Sequence, residues 1–178
     1  MLVIHPYDNT TDFLRPLYEG REDVRLLTGK ESRKELGSIL FHLRPGERVM
    51  LLGHGTGAGL FRLDEDGEYR LYVGHSMAYA LRKHPVIGIW CHADLFARKE
   101  LLHGLFSGMI VSEMPEAQKY GIACTQEELD RENVNLAERL RALFDHDVPF
   151  QEIPSRLAEM DTARTQLTRF NYNNFYCL

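Results

Sequence analysis

Five short apolar runs, set between amphipathic stretches, restrict this chain more than any other feature of its sequence. Residues 3–4, 24–27, 49–52, 86–90 and 106–111 are apolar or β-branched, each bounded by Gly, Pro, charges or polar clusters. Runs that short, with little polar alternation, suit strands buried on both faces. Between them, residues 11–18, 32–43, 76–84, 94–103 and 115–122 read as helices. Such alternation predicts right-handed crossovers and a mostly parallel sheet in an α/β, three-layer αβα sandwich.

One connection breaks the pattern. After His54 and Gly55 the stretch GLFRLDEDGEYRLYVG alternates apolar and polar residues around Asp64-Glu65-Asp66-Gly67, which predicts a β-hairpin outside the main sheet. The last third reads as helical. Thr125 and Glu128 form a capping-box pattern ahead of Leu129, Leu136, Leu140 and Leu143, and a second helix is expected over 155–167. The aromatic tail RFNYNNFYCL reads as a packed closing segment.

A length of 178 residues is enough for one core and short for two. The expected organisation is a single domain, 1–178, with a sheet core over 1–122 and a helical C-terminal extension over 123–178 packed on it. A net charge of -5 supplies no broad basic surface, so nucleic acid is not an expected partner. No stretch approaches the roughly 18 apolar residues of a membrane helix, and the start MLVIHPYDNT lacks a basic flank. A cytoplasmic protein with no membrane partner is therefore expected. Three scattered cysteines, Cys91, Cys124 and Cys177, suit neither a disulfide framework nor a paired metal site, so one that matters should matter as a thiol.

Four chemistries compete for the punctuated strand ends. In VMLLGHGTGAGL, Gly53-x-Gly55-x-x-Ala58 fits a phosphate loop, but a hairpin follows where that motif needs a helix N-terminus. YVGHSMA resembles the nucleophile elbow of serine hydrolases with Ser76 as nucleophile; Ser76 reads equally as a helix N-cap. A thiol-phosphatase loop fails on spacing, since six residues rather than five separate Cys91 from Arg98. The fourth reading is a Cys-His dyad: Cys91 follows the strand in VIGIWCHADLF as His54 follows the strand in VMLLGHG. Neighbouring parallel strands would bring both to the carboxyl edge of the sheet, where α/β folds build their sites. Gly55 would leave a bare N–H beside that of Cys91 as an oxyanion hole.

An apolar strand ending in His-Gly, then a hairpin, a helix and a second apolar strand ending in Cys, resembles the caspase-like cysteine peptidases, which include caspases, metacaspases, gingipains, clostripain and separase. The resemblance implies His54 and Cys91 as the catalytic pair, a peptide or protein substrate and no cofactor. Through LFSGMIVSEMPEA it implicates Ser112 and Glu113 in shaping the pocket for the residue before the scissile bond. The chain departs from the caspase signature around the cysteine, with Ile89-Trp90 before it and His92-Ala93-Asp94 after it. Its His-to-Cys interval is also shorter than the roughly 50 residues of caspases, as in a compact bacterial-type relative. Two alternatives stay open: a catalytically inactive caspase-like binding or signalling module, and the serine hydrolase. Zinc held by His54, Cys91, His92 and Asp94 lacks a close ligand pair at helical spacing, so no metal is expected.

Overall fold

In a computed structural model, which describes residues 1–6 and 8–178, the chain is a mixed α/β sandwich. The main sheet contains β1 (Leu2–Ile4), β2 (Arg25–Leu27), β3 (Val49–Leu52), β7 (Pro85–Ile89), β8 (His103–Ser107) and β9 (Phe175–Cys177), in the order β2-β1-β3-β7-β8-β9. All neighbouring pairs are parallel except β8 and β9. Every residue of β1 and β3 is buried, as expected where helices cover both faces of a parallel sheet.

Side chains alternate between the two layers. Leu2, Ile4, Val49 and Leu51 pack with Leu36 and Leu40 of α1 (Arg33–Phe41), Leu81 of α2 (His75–Leu81) and Phe96 of α3 (Ala93–Glu100). Val3, Met50 and Leu52 face the other way, onto Leu14 and Leu17 of a 3-10 helix (Asn9–Leu17) and Leu136, Leu140 and Phe144 of α5 (Gln126–Asp145). The period-2 geometry of a strand thus divides one apolar run between two cores.

The connections create a topological switch point. The 3-10 helix carries the chain from β1 to β2 over one face; α1 then carries it over the other face, past β1, to β3. The winding therefore reverses between β1 and β3, and the space outside their carboxyl ends is the topological switch point where such sheets bind ligands.

Between β3 and β7 lies a separate antiparallel sheet of β4 (Gly55–Thr56), β5 (Gly59–Leu63) and β6 (Tyr69–Gly74), the expected hairpin with one short strand added. The remaining helices are α4 (Met114–Lys119), α6 (Ile153–Glu159) and α7 (Gln166–Tyr172).

The structure departs from the sequence reading in several places. The expected helix over 155–167 is two helices, because Arg164 adopts φ 50°, its N–H donates to Asp161 Oδ1 and Thr165 caps a new start. The C-terminal segment is more than a helical extension, since β9 adds a sixth strand to the sheet. The strand expected over 106–111 begins at His103 and ends at Ser107, which frees 108–113 to turn over the sheet edge. Gly74, not Ser76, is the N-cap of α2.

No described helix is long and apolar enough to cross a membrane.

Candidate functional site

His54 leaves the end of β3 at the switch point. Gly53 before it has φ 137°, a conformation closed to side-chain-bearing residues at ordinary cost. The turn aims the imidazole toward the loop after β1, where Nε2 lies 2.6 Å from Thr10 Oγ1. The threonine hydroxyl donates to Asp8 Oδ1 at 2.7 Å, and the same carboxylate oxygen accepts the Thr10 N–H at 2.9 Å. Asp8 Oδ2 accepts from Tyr69 Oη at 2.6 Å.

These bonds fix the tautomer. A threonine hydroxyl has one proton, and an ionised carboxylate only accepts, so the proton goes to Asp8 and His54 Nε2–H donates to Thr10. Nδ1 is then the basic nitrogen. Burial disfavours ionisation of Asp8, but hydrogen bonds from Tyr69 and Thr10, with the nearby imidazole, hold its carboxyl below the usual range.

Cys91 follows β7 as His54 follows β3. Leu52 and Ile89 are the last paired residues of the two neighbouring parallel strands, and His54 and Cys91 each come two positions after them. A backbone clamp sets the end of β7: Trp90 N–H donates to Ser107 Oγ at 3.0 Å, and that hydroxyl donates to Trp90 O at 2.8 Å. His92, next in sequence, is a left-handed residue at φ 66° whose N–H reaches Gly108 O. Such strained positions concentrate at functional turns.

The two side chains lean apart. His54 reaches over the end of β1, whereas Cys91 Sγ lies 3.6 Å from Ile110 O and 3.7 Å from Glu116 Oε1, beyond the end of β8. No hydrogen bond joins the imidazole to the sulphur among the described residues. Burial first, and then the Glu116 carboxylate, push the Cys91 thiol up to about 12. Glu113 lies between the two groups electrostatically: burial raises its carboxyl, His54 opposes that rise, and its charge adds to the pressure on Cys91.

Gly55 has a packing reason of its own. A Cβ there would sit 2.3 Å from Trp90 Cδ1 and 2.4 Å from Gly59 O, because the indole lies across the turn and its Nε1–H donates to Thr56 O. Close approach of an aromatic ring therefore accounts for the glycine of His-Gly without any catalytic role.

Ser112 and Glu113 both line a cavity of about 500 Å³ beside the His54 network, together with Thr10 and residues of α5. Glu116 ties this loop down, since its Oε2 accepts from the Ser112 N–H at 2.8 Å and the Glu113 N–H at 3.3 Å. Ser76 is exposed on α2, where its Oγ accepts from Arg33. Asp94 pairs with Arg98 in its own helix, and no group of three His, Cys, Asp or Glu side chains is arranged to hold a metal among the described residues.

Sequence reasoning missed Asp8, Thr10, Tyr69 and Glu116. The polar stretch Asp8-Asn9-Thr10, close behind an all-apolar strand, was the available signal for the first two. Tyr69 and Glu116 arrive only through tertiary packing. Neither a family model nor a curated protein matches this chain.

Proposed function

We propose that this chain is a caspase-like cysteine hydrolase of the cytoplasm, acting on amide bonds of a peptide or protein substrate through Cys91 and His54. The observation that supports it is the strand register, in which both residues come two positions after the last paired residues of β3 and β7 at one sheet edge, with the imidazole's tautomer set by Thr10 and Asp8. Cys91 Sγ attacks the substrate carbonyl while its proton passes to His54 Nδ1. The C–N bond breaks as that proton moves to the departing amine. Water, deprotonated by the same nitrogen, then attacks the thioester; the C–S bond breaks, the acid leaves and the proton returns from His54 Nδ1 to the Cys91 sulphur. The N–H groups of Gly55 and Cys91 face the oxyanion in this scheme.

With its thiol held protonated by burial and Glu116, Cys91 ionises as it attacks rather than resting as a thiolate. Two side chains that lean apart must also close together when substrate fills the crevice. Thr10 and Asp8 act as positioning residues.

Digestion of a peptide mixture, read by mass spectrometry, tests the scheme. New termini generated by the wild type should be absent with Cys91→Ala and with His54→Ala. A wild type that cleaves nothing, or a Cys91→Ala protein that cleaves as well, contradicts it. Thr10→Val should lower kcat about 100-fold by releasing the imidazole, with KM little changed, and Thr10→Ser should restore it. Equal loss in both variants would mean that the threonine serves packing alone.

One observation favours a second reading. A half-buried thiol bonded to a carbonyl and a carboxylate is the environment of an inert cysteine. On that reading the chain is a caspase-like binding or signalling module, its crevice kept and its chemistry lost.

A further inference from the structure

Cys91 Sγ lies between two acceptors and, among the described residues, meets no donor. The Ile110 carbonyl oxygen is 3.6 Å away and Glu116 Oε1 is 3.7 Å away. A thiol has one proton to give and a thiolate has none, so both neighbours favour the S–H form. Beyond burial, the charges that act on the thiol are the carboxylates of Glu116 and Glu113.

The Glu116 carboxylate is also built into the loop after β8. Its Oε2 accepts from the N–H groups of Ser112 at 2.8 Å and Glu113 at 3.3 Å, and from Ser112 Oγ at 3.3 Å. Asn171 of α7 is 4% exposed and pairs both atoms of its amide with the Val111 backbone, each at 2.8 Å. Asn133 of α5 donates to Ser112 O at 2.9 Å. Side chains from α4, α5 and α7 therefore hold residues 111–113. One oxygen of Glu116 completes that fastening, and the other is left for the sulphur.

We infer that Glu116 is an autoinhibitory clasp: its carboxylate ties the loop over 110–113 to the Cys91 S–H and keeps the sulphur turned beyond the end of β8, away from His54. Displacing Ser112 and Glu113, whose N–H groups anchor Oε2, would free it. The inhibitory sense of the clasp rests on the reading of Cys91 as nucleophile; the clasp itself does not. The geometry gives the key substitution a sign. In Glu116→Gln the amide oxygen keeps the two loop N–H groups, while the amide nitrogen faces Sγ and donates to a thiolate.

Alkylation of Cys91 by iodoacetamide, followed by peptide mass spectrometry from neutral to alkaline pH, tests the clasp in the full chain. The reaction needs only the thiolate, so hydrolysis does not enter the readout. Glu116→Gln should raise the rate at neutral pH about tenfold and move the pH profile about one unit lower, with the Cys124 rate and the urea midpoint unchanged. Glu116→Asp draws the charge back by one methylene and should give a smaller gain, which supplies the readout if the amide variant does not fold. A rate at or below wild type in these variants, or an equal rise at Cys124, would overturn the inference. So would a gain in Glu116→Ala that Glu116→Gln lacks, because the carboxylate would then serve only to fasten the loop. Digestion of a peptide mixture by the same proteins separates the two claims. Faster alkylation with no cleavage keeps the clasp and counts against the hydrolase, whereas cleavage with unchanged alkylation does the reverse.

Discussion

Alanine at Gly55 should lower the stability of the whole fold by about 3 kcal/mol. The added methyl would lie 2.3 Å from Trp90 Cδ1 and 2.4 Å from a backbone oxygen of β5, so neither neighbour can yield by a rotamer change alone. Trp90 is 2% exposed, donates to Thr56 O and packs on Phe96 at 5.9 Å between ring centroids, which fixes the indole from several sides. Urea unfolding of Gly55→Ala against wild type measures the loss. A variant with unchanged midpoint would mean that the close approach of Trp90 does not explain this glycine. A Gly55→Ala, Trp90→Phe double variant should recover part of the stability, since the smaller ring withdraws from the added methyl.

Acid should destabilise the protein well before its carboxylates protonate, and His5 is the reason. The ring is 5% exposed, with Nδ1 at 3.0 Å from Tyr18 Oη and Nε2 at 3.1 Å from Thr11 Oγ1. Burial lowers its pKa from the ordinary 6.5 to about 4, partly opposed by the nearby charge of Asp12. The unfolded chain therefore binds a proton between pH 6.5 and 4 that the folded chain refuses, and stability falls as pH drops through that interval. The contribution is fully present above 6.5, and about 3 kcal/mol of it is lost by pH 4. His5→Gln should flatten the urea-midpoint profile in that window. Asp8, Asp64 and Asp145, held low by hydrogen bonds, add their own losses at more acid pH. A variant whose profile parallels the wild type from pH 7 to 4 would contradict the assignment.

The parallel sheet was readable because its strands are buried on both faces. Residues 3–4 and 49–52 could hardly be anything else, and Asp64 to Gly67 marked the hairpin. β9 was hidden because three residues of an aromatic, Asn-rich tail become a strand only by pairing Leu105 with Cys177 across a long chain separation. The helix expected over 11–18 is a 3-10 helix at Asn9–Leu17, with Pro16 next to its last residue. Of the candidate site residues, His54 and Cys91 came from the strand ends, and Ser112 and Glu113 from the resemblance to caspase-like peptidases. Side-chain direction was not legible. Whether His54 leans toward Cys91 or toward Thr10 depends on a hydroxyl and a carboxylate from another loop, and Glu116 meets Cys91 only because α4 folds back over the edge.

The central claim is that one crevice makes the sulphur of Cys91 depend on the imidazole of His54. It is measured most directly by the rate at which a peptidyl acyloxymethylketone modifies Cys91, followed by mass spectrometry in wild type and His54→Ala. The account predicts modification at Cys91 ahead of the more exposed Cys124, and its loss in His54→Ala at an unchanged unfolding midpoint. Equal rates at Cys91 in the two proteins, or modification of Cys124 first, would contradict it.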